Sequence, residues 1–564
     1  MSDVNLPKLQ KLFQEKRFTD VVFEIEASTT EKNRSPFLLN LLGVCRASQK
    51  GKSDRDVKYA LNDFEAAFYK DNLGQISLDA LCSHITLCAE MGRKENDLVN
   101  NFLISEKMYL EAEKKYSKNI KYLGYGLDLY KYLIKHEKRI SKVLELISIR
   151  GLDKMFGTIL VTSQMYLNNW SQMDFIEFQK EFAELFTVYN AKKLSKLDLD
   201  KKKIKVAFIS PDFKQSHSIS YFIINLIKDL KQTKFETYGL SLVETFEKDK
   251  TTDFFEELFD QWIDLGGKSD QEIVNSIQNS NIDILVDLAG LWSANRVSIF
   301  NTRICPLQIS WLGYNNSTGL KEIDFILADV NTVKDEKKYY GTEIYKFSKI
   351  WNSHCGLNYK RYFNELPIKK NGYFTFGSLN NFMKINEKVM DAWVNILKKV
   401  KNSKIILKSS LYVCEDVILK RFEKEGLINS IEILKKKREE SLHINVYDNI
   451  DLCLDTFPFN GVTTTFEALW KNVPVLTKKG YNFNSRCGES ILKNAGLNNL
   501  IAINDEDYIN KAVFYANNIS KLENIRKELF DRVLDTPLFD TKEFSNDFCL
   551  ALNNMLHSVK NNYK

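Results

Sequence analysis

The stretch from Asp451 to Leu492, DLCLDTFPFNGVTTTFEALWKNVPVLTKKGYNFNSRCGESIL, constrains this chain more than any other part of it. Its short apolar run, Leu452 to Leu454, ends at Asp455-Thr456, as a buried strand does. A turn containing Pro458, Asn460 and Gly461 follows, and then three consecutive threonines, Thr463, Thr464 and Thr465. Phe466, Leu469 and Trp470 then recur at helix spacing. A strand, a glycine-containing turn and a hydroxyl-rich helix start together make an anion-binding device. Unbonded backbone N–H groups and the positive end of the helix dipole face one point. In an open α/β sheet that point lies in the crevice beyond the strand ends. Threonines also cap helices where no ligand binds, so an ordinary N-capped helix is the competing reading of the same residues.

The 564 residues are too many for one core and point to about three units. Hydrophobic residues at 44% supply real cores, and the net charge of +6 is small against 80 basic and 74 acidic residues. Basic and acidic residues are interspersed, so no nucleic-acid-binding stripe stands out, and runs such as Lys201 to Lys203 and Lys435 to Lys437 read as solvated surface. Nine cysteines, without a CxxC pair or metal spacing, fit a reduced, cytoplasmic protein. The polar start MSDVNLPKLQKLFQEK has no signal-peptide core, and no apolar run of about 18 residues suggests membrane insertion.

Residues 1–195 read as an all-α domain. Leu42-Gly43 followed by Ala60, Phe64 and Ala67 resembles the small-and-aromatic pattern of a tetratricopeptide repeat, with about five residues inserted around Lys52 to Arg55. A 34-residue period places Val21, Ile25 and Ser28 in the preceding repeat, and a weaker unit falls near Ala112 and Tyr116. A plain helical domain is the alternative. From Lys203 the pattern changes to apolar β-runs alternating with helices: KIKVAFIS, FETYGLSL, IDILVDLAG, PLQISWLGY and IDFILAD. It restarts with YFTFGSLN, SKIILKS, SIEIL, DLCLDT, VPVLT and NLIA. Such alternation implies parallel, doubly wound sheets, one over 196–365 and a second over 366–540, with a terminal helix over 541–564.

Several polar residues fall where these sheets would bind ligands. His217 sits in the loop SPDFKQSHSIS beyond the first β-run, although a lone histidine is usually structural or simply exposed. Lys384, at the strand-to-helix junction GSLNNFMKINEKV, suits a point charge for pyrophosphate, or a surface position. His443 precedes the strand ending at Asp455 and also reads as a surface residue. The Asp-x-Asp pairs Asp54/Asp56, Asp198/Asp200 and Asp505/Asp507 lie in polar surroundings, not after a buried strand, which favours a metal-free site. No P-loop, GxGxxG or GxSxG motif occurs.

In order, FISPDFKQSHSISYF, DILVDLAGLWSANR, PLQISWLGYNNSTGLKEIDFILAD, FGSLNNFMKI and the stretch through NGVTTTFEALWKNVPVLT resemble glycosyltransferase family 41. That family comprises bacterial relatives of protein O-GlcNAc transferase and the plant SPINDLY-like proteins. The resemblance implies a GT-B fold with two Rossmann-like lobes behind a TPR-like helical domain. It implies inverting, metal-independent transfer of a sugar, GlcNAc or a related HexNAc, from a UDP-sugar to Ser/Thr hydroxyls of an acceptor protein. The acceptor would enter between the lobes and the helical domain, with no nucleic acid and no cofactor beyond the donor.

By the same resemblance Lys384 looks like the lysine on the donor diphosphate, and Thr463 and Thr464 like the hydroxyls at the phosphate-binding helix start, with Asn460 and Gly461 in their turn. Glu467 takes the place of the acid that holds the ribose, His443 that of the histidine against the nucleobase, and Asn381 that of a neighbouring polar contact. His217 resembles the active-site histidine proposed as base; the departing phosphate or a water chain could take that proton instead.

The chain departs from the family pattern in four places. KQSHSIS carries one extra residue before His217, Leu291-Trp292-Ser293 replaces a Gly-His-Thr, Val462 replaces a histidine or glycine, and Glu467 lengthens an aspartate. O-fucosyl transfer from a GDP-sugar, asparagine-directed N-glycosyl transfer, and a non-catalytic TPR adaptor with a vestigial donor site are the alternatives.

Overall fold

The computed structural model describes residues 4–91, 101–167, 169–194, 197–215, 217–292, 296–333, 340–357, 361–408, 414–434 and 444–560. The chain divides into two compact units. One comprises Met1–Leu152 with Asn381–Asn386 and Ser409–Ile428; the other comprises Asp153–Asn380, Glu387–Lys408 and Asn429–Lys564.

The first unit is helical and TPR-like. Helix Pro36–Ser48 starts with Ser35 capping and proline in its first turn, and helix Asp54–Lys70 starts with a Ser53/Asp56 capping box. Gly43 permits these two helices to approach: a Cβ there would lie 2.5 Å from Phe64 Cε1. Ala60 and Ala67 are fully buried on the same helix as Phe64, so the small-and-aromatic pattern does pack helix on helix. Val21 and Ile25 are buried too, whereas Ser28 is at the surface, its hydroxyl donating to Glu24 O.

Helices Ile120–Tyr132 and His136–Arg150 meet at a tight corner. There Lys135 N–H donates to Tyr130 O and Ile134 N–H to Lys131 O, a Schellman-type ending. Its left-handed residue is Ile134, at φ 56°, a position that usually falls to glycine and strains a β-branched side chain.

The second unit holds two parallel sheets. The first is built from β1 (Ile204–Ser210), β2 (Phe235–Ser241), β3 (Gln261–Asp264), β4 (Ile284–Asp287), β5 (Leu307–Ser310), β6 (Phe325–Asp329) and β7 (Glu343–Phe347), in spatial order 3-2-1-4-5-6-7. The second is built from β8 (Phe374–Ser378), β9 (Ser403–Lys408), β10 (Ile431–Leu434), β11 (Leu452–Leu454), β12 (Val475–Lys478) and β13 (Ile501–Ala502), in order 10-9-8-11-12-13. Central strands are buried on both faces and so read as continuous apolar runs. These are two Rossmann-like lobes, each with a topological switch, between β1 and β4 and between β8 and β11.

The all-α region expected over 1–195 is helical as far as Ala183, but its last two helices, Lys154–Leu167 and Gln172–Ala183, belong with the α/β unit. Their apolar faces, Val161, Met165, Phe175 and Phe182, share one core with Ala207, Ile209 and Leu285 of the first sheet. The terminal helix Thr541–Val559 also packs on the first lobe. Phe548 lies among the rings of Phe208, Trp311 and Phe347, with centroids 6.4, 4.8 and 6.3 Å away. Truncation of this fully buried ring in Phe548→Ala should cost about 3–5 kcal/mol in urea unfolding. A loss below ~1 kcal/mol would show that the helix does not contribute to that core.

Candidate functional site

The second sheet's switch point is organised by Asp455, which is 2% exposed and follows β11 directly. Its Oδ1 accepts from Thr456 N (2.8 Å), Gly461 N (2.7 Å) and Asn380 Nδ2 (3.3 Å). Its Oδ2 accepts from Thr477 Oγ1 at 2.7 Å, and its carbonyl accepts from Tyr508 Oη at 2.8 Å. Asn380, at the end of the β8 loop, also accepts Thr464 Oγ1 at 3.0 Å. One carboxylate and one amide thus stitch together the loops leaving β8 and β11.

Asn460 and Gly461 build this turn from within. Asn460 is fully buried; its Nδ2 donates to Thr456 O, its Oδ1 accepts from Gly488 N, and its own N–H donates to Asn484 O. Gly461's N–H is taken by Asp455, and a Cβ there would meet Thr464 Oγ1 at 2.5 Å and Asn380 Oδ1 at 2.8 Å. The Asn460 and Gly461 amides are therefore spent inside the turn, and the candidate anion-binding donors are those of the helix that follows.

Helix Thr463–Trp470 begins without any side-chain cap. Thr465 turns its hydroxyl back onto Gly461 O at 3.1 Å, so the threonine run does not cap the helix as the competing reading required. The amides of Thr463 and Thr464 are first-turn donors with no intrahelical acceptor. Both side chains are half-buried at this start. Uncapped first-turn amides at the positive end of a helix dipole attract an anion, phosphate above all.

One turn on, Glu467 is buried and accepts at Oε2 from Tyr447 Oη at 3.0 Å. The same hydroxyl lies 3.0 Å from Thr464 O, so its single proton serves one acceptor at a time. Burial, reinforced by the Glu467 charge, raises the Tyr447 phenol well above its ordinary pKa and keeps it a neutral donor.

Asn381 and Lys384 follow Asn380 in the chain, on the 3-10 turn Phe382–Lys384. This segment belongs with the helical unit. Asn381 Oδ1 caps the turn by accepting Met383 N at 3.0 Å, and Lys384 is half-buried. His443 lies outside the described residues.

The first sheet's switch point carries His217, in the loop between β1 and helix Ser220–Leu230. Its Nε2 lies 3.7 Å from Asp212 Oδ1, and its side chain is 45% exposed. Partial burial lowers the imidazole pKa and the Asp212 charge opposes this; burial in turn raises the Asp212 carboxyl. The two switch points face across a shared stack: His354 lies between Tyr221, after His217 (4.7 Å, 15°), and Phe466, after Thr464 (5.5 Å, 21°). Beside it Trp292, on the loop after β4, stacks on Phe459 of the turn at 6.1 Å and 19°.

The Asp-x-Asp pairs do ordinary structural work. Asp56 belongs to a capping box, Asp198 accepts from Asp200 N, and Asp505 and Asp507 sit in the first turn of helix Asp505–Asn517.

The family model for glycosyl transferase family 41 matches residues 186–348 and 361–548, well over half the chain and both lobes. The chain belongs to this family. Among family 41 relatives, it is 32% identical over 362 residues to the probable UDP-N-acetylglucosamine–peptide N-acetylglucosaminyltransferase SPINDLY of Eustoma exaltatum subsp. russellianum, a match covering 62% of this chain and 39% of the relative. It is 31% identical over 360 residues to the protein of the same name in Arabidopsis thaliana, again covering 62% and 39%. The chain thus spans about two-fifths of the length of these relatives. A mutant of the Thermobaculum terrenum O-GlcNAc transferase superposes with a TM-score of 0.74 over 95% of this chain and 100% of that one, at 21% identity, which establishes a shared fold.

Asp455, Asn380, Tyr447 and Asp212 are the site residues that sequence reasoning missed, although Asp455 and Asp212 each stand at the mouth of a buried strand. Asp455→Asn would remove the charge from these hydrogen bonds and, with its oxygen kept on Gly461 N–H, would force the Thr477 hydroxyl to turn from donor to acceptor. It should cost about 1.5–3 kcal/mol in chemical denaturation. An unchanged unfolding midpoint would show that the carboxylate does not organise the turn.

Proposed function

We propose that this protein is an inverting protein O-glycosyltransferase that moves a sugar, GlcNAc or a related HexNAc, from a UDP-sugar to Ser/Thr hydroxyls of an acceptor protein. The observation that carries the reading is the uncapped start of helix Thr463–Trp470 at the second sheet's switch point, in a chain of family 41. The relatives' names, which specify UDP-N-acetylglucosamine and peptide, support the donor and acceptor classes.

In this mechanism the donor's diphosphate rests on the amides of Thr463 and Thr464 and the hydroxyl of Thr463, the Thr464 hydroxyl joins them by turning from Asn380 Oδ1, and Lys384 adds a point charge. Glu467 holds the ribose, while Asn381 and His443 make further polar and base contacts. The acceptor hydroxyl attacks the anomeric carbon from the face opposite the diphosphate; the C–O bond to phosphate breaks and the configuration inverts. Negative charge builds on the departing diphosphate, where the fixed dipole and Lys384 stabilise it without reorganisation. The donor phosphates are neutralised by protein groups, so the reaction proceeds with no divalent ion.

The deciding experiment incubates the protein with UDP- and GDP-sugars and reads nucleotide release and mass shifts on candidate acceptor proteins. UDP-GlcNAc should be consumed in the presence of chelator, and Lys384→Ala should lower turnover by at least about a hundredfold. Turnover that stops with chelator, or that survives Lys384→Ala, contradicts the reading. Selective use of GDP-fucose would move it to the fucosyl branch.

His217 acts as the base that takes the acceptor proton, with Asp212 beside it. A base works deprotonated, so kcat should fall as pH drops through the imidazole's pKa, which burial places below the ordinary value of about 6.5. His217→Ala should abolish this acid limb of the pH–kcat profile. A limb that persists in the variant assigns the proton to another group.

A further inference from the structure

We infer that His136 is a positioning residue for Lys384, so that the helical unit, rather than the sheet preceding it in the chain, sets where this cation stands. The inference rests on the reading of Lys384 as the diphosphate cation. His136 is the first residue of helix His136–Arg150 yet only 2% exposed, an unusual burial for an imidazole at a helix start. Its Nε2 lies 2.9 Å from Met383 O, an acceptor, so the ring nitrogen must donate. Burial also holds the ring neutral, with a pKa pushed down to about 4.

The geometry of one peptide plane makes this bond consequential. Met383 C=O and Lys384 N–H belong to the same planar unit. His136 grips the carbonyl, and Lys384 N–H donates to Asn381 O at 2.8 Å on the other side. With both edges of the plane held, rotation about its axis is blocked, and the direction in which the Lys384 side chain leaves the backbone is fixed. The same helical corner holds the second segment inserted into this unit: Cys414 Sγ donates to Tyr132 O at 3.2 Å. Between these two grips lies Ile134 in its left-handed conformation. Such strain persists where surrounding contacts over-determine the backbone.

The test uses the full chain with UDP and UMP as probes (GDP and GMP if the sugar panel shows a guanosine donor). His136→Phe keeps a buried ring but removes the donor; His136→Gln keeps a donor. Helix content by circular dichroism checks folding of each. His136→Phe should weaken UDP binding and lower kcat by roughly ten- to a hundredfold, the scale on which small misplacements act, and leave UMP binding within about twofold. His136→Gln should recover most of the loss, and in a Lys384→Ala background His136→Phe should produce no further loss of UDP affinity. If Lys384→Ala weakens UDP relative to UMP and His136→Phe does not, the positioning role is wrong. Equal losses from His136→Phe in both backgrounds would also overturn it, as would equal weakening of UDP and UMP. If Lys384→Ala itself leaves UDP binding intact, the role of Lys384 fails instead, and the positioning role falls with it.

Discussion

The candidate site depends on a buried carboxylate whose hydrogen bonds go to its own loops. Asp455 takes the N–H groups of Thr456 and Gly461, the amide of Asn380 and the hydroxyl of Thr477, which fixes the turn between β11 and helix Thr463–Trp470. A carboxylate accepting several N–H bonds is strongly held, and charged hydrogen bonds exceed neutral ones in strength. Asp455 takes the Thr456 and Gly461 N–H groups and Asn484 takes that of Asn460, which leaves the first-turn amides of the helix start as donors without an intrahelical acceptor. Orphan donors are expensive to leave unmet, and the proposed donor diphosphate would meet them.

The lobes meet through rings at the same place. His354, donating no charge, lies between Tyr221 and Phe466 and receives Gly356 N–H at Nδ1, while burial pushes its pKa down to about 3. Tyr221 follows the His217 loop and Phe466 follows the threonines, so one neutral imidazole spaces the proposed base from the proposed phosphate site. The return of helix Thr541–Val559 to the first lobe adds a second tie within this unit.

The strands buried on both faces were legible as continuous apolar runs, β1 and β8 among them. The edge strands Gln261–Asp264 and Glu343–Phe347 were not, because their side chains are half-exposed and carry no such run. Helices Lys154–Leu167 and Gln172–Ala183 fell within the region read as all-α, but a helical pattern alone could not tell which core would take their apolar faces. The threonine turn and the Lys384 junction were legible from strand-to-helix grammar and from family resemblance. The roles of Asp455 and Asn380 were not, since their partners lie up to 84 residues away in the chain. Asn460 was visible in the sequence as a turn residue, and the structure gives it the internal work of holding that turn.

The most direct test is a crystal structure with UDP bound, read at the diphosphate. A phosphate oxygen should lie within about 3.2 Å of the Thr463 or Thr464 amide nitrogen, with Gly461 N–H still donating to Asp455. A diphosphate bound away from that helix start, or one that takes Gly461 N–H from Asp455, would contradict the proposed phosphate site.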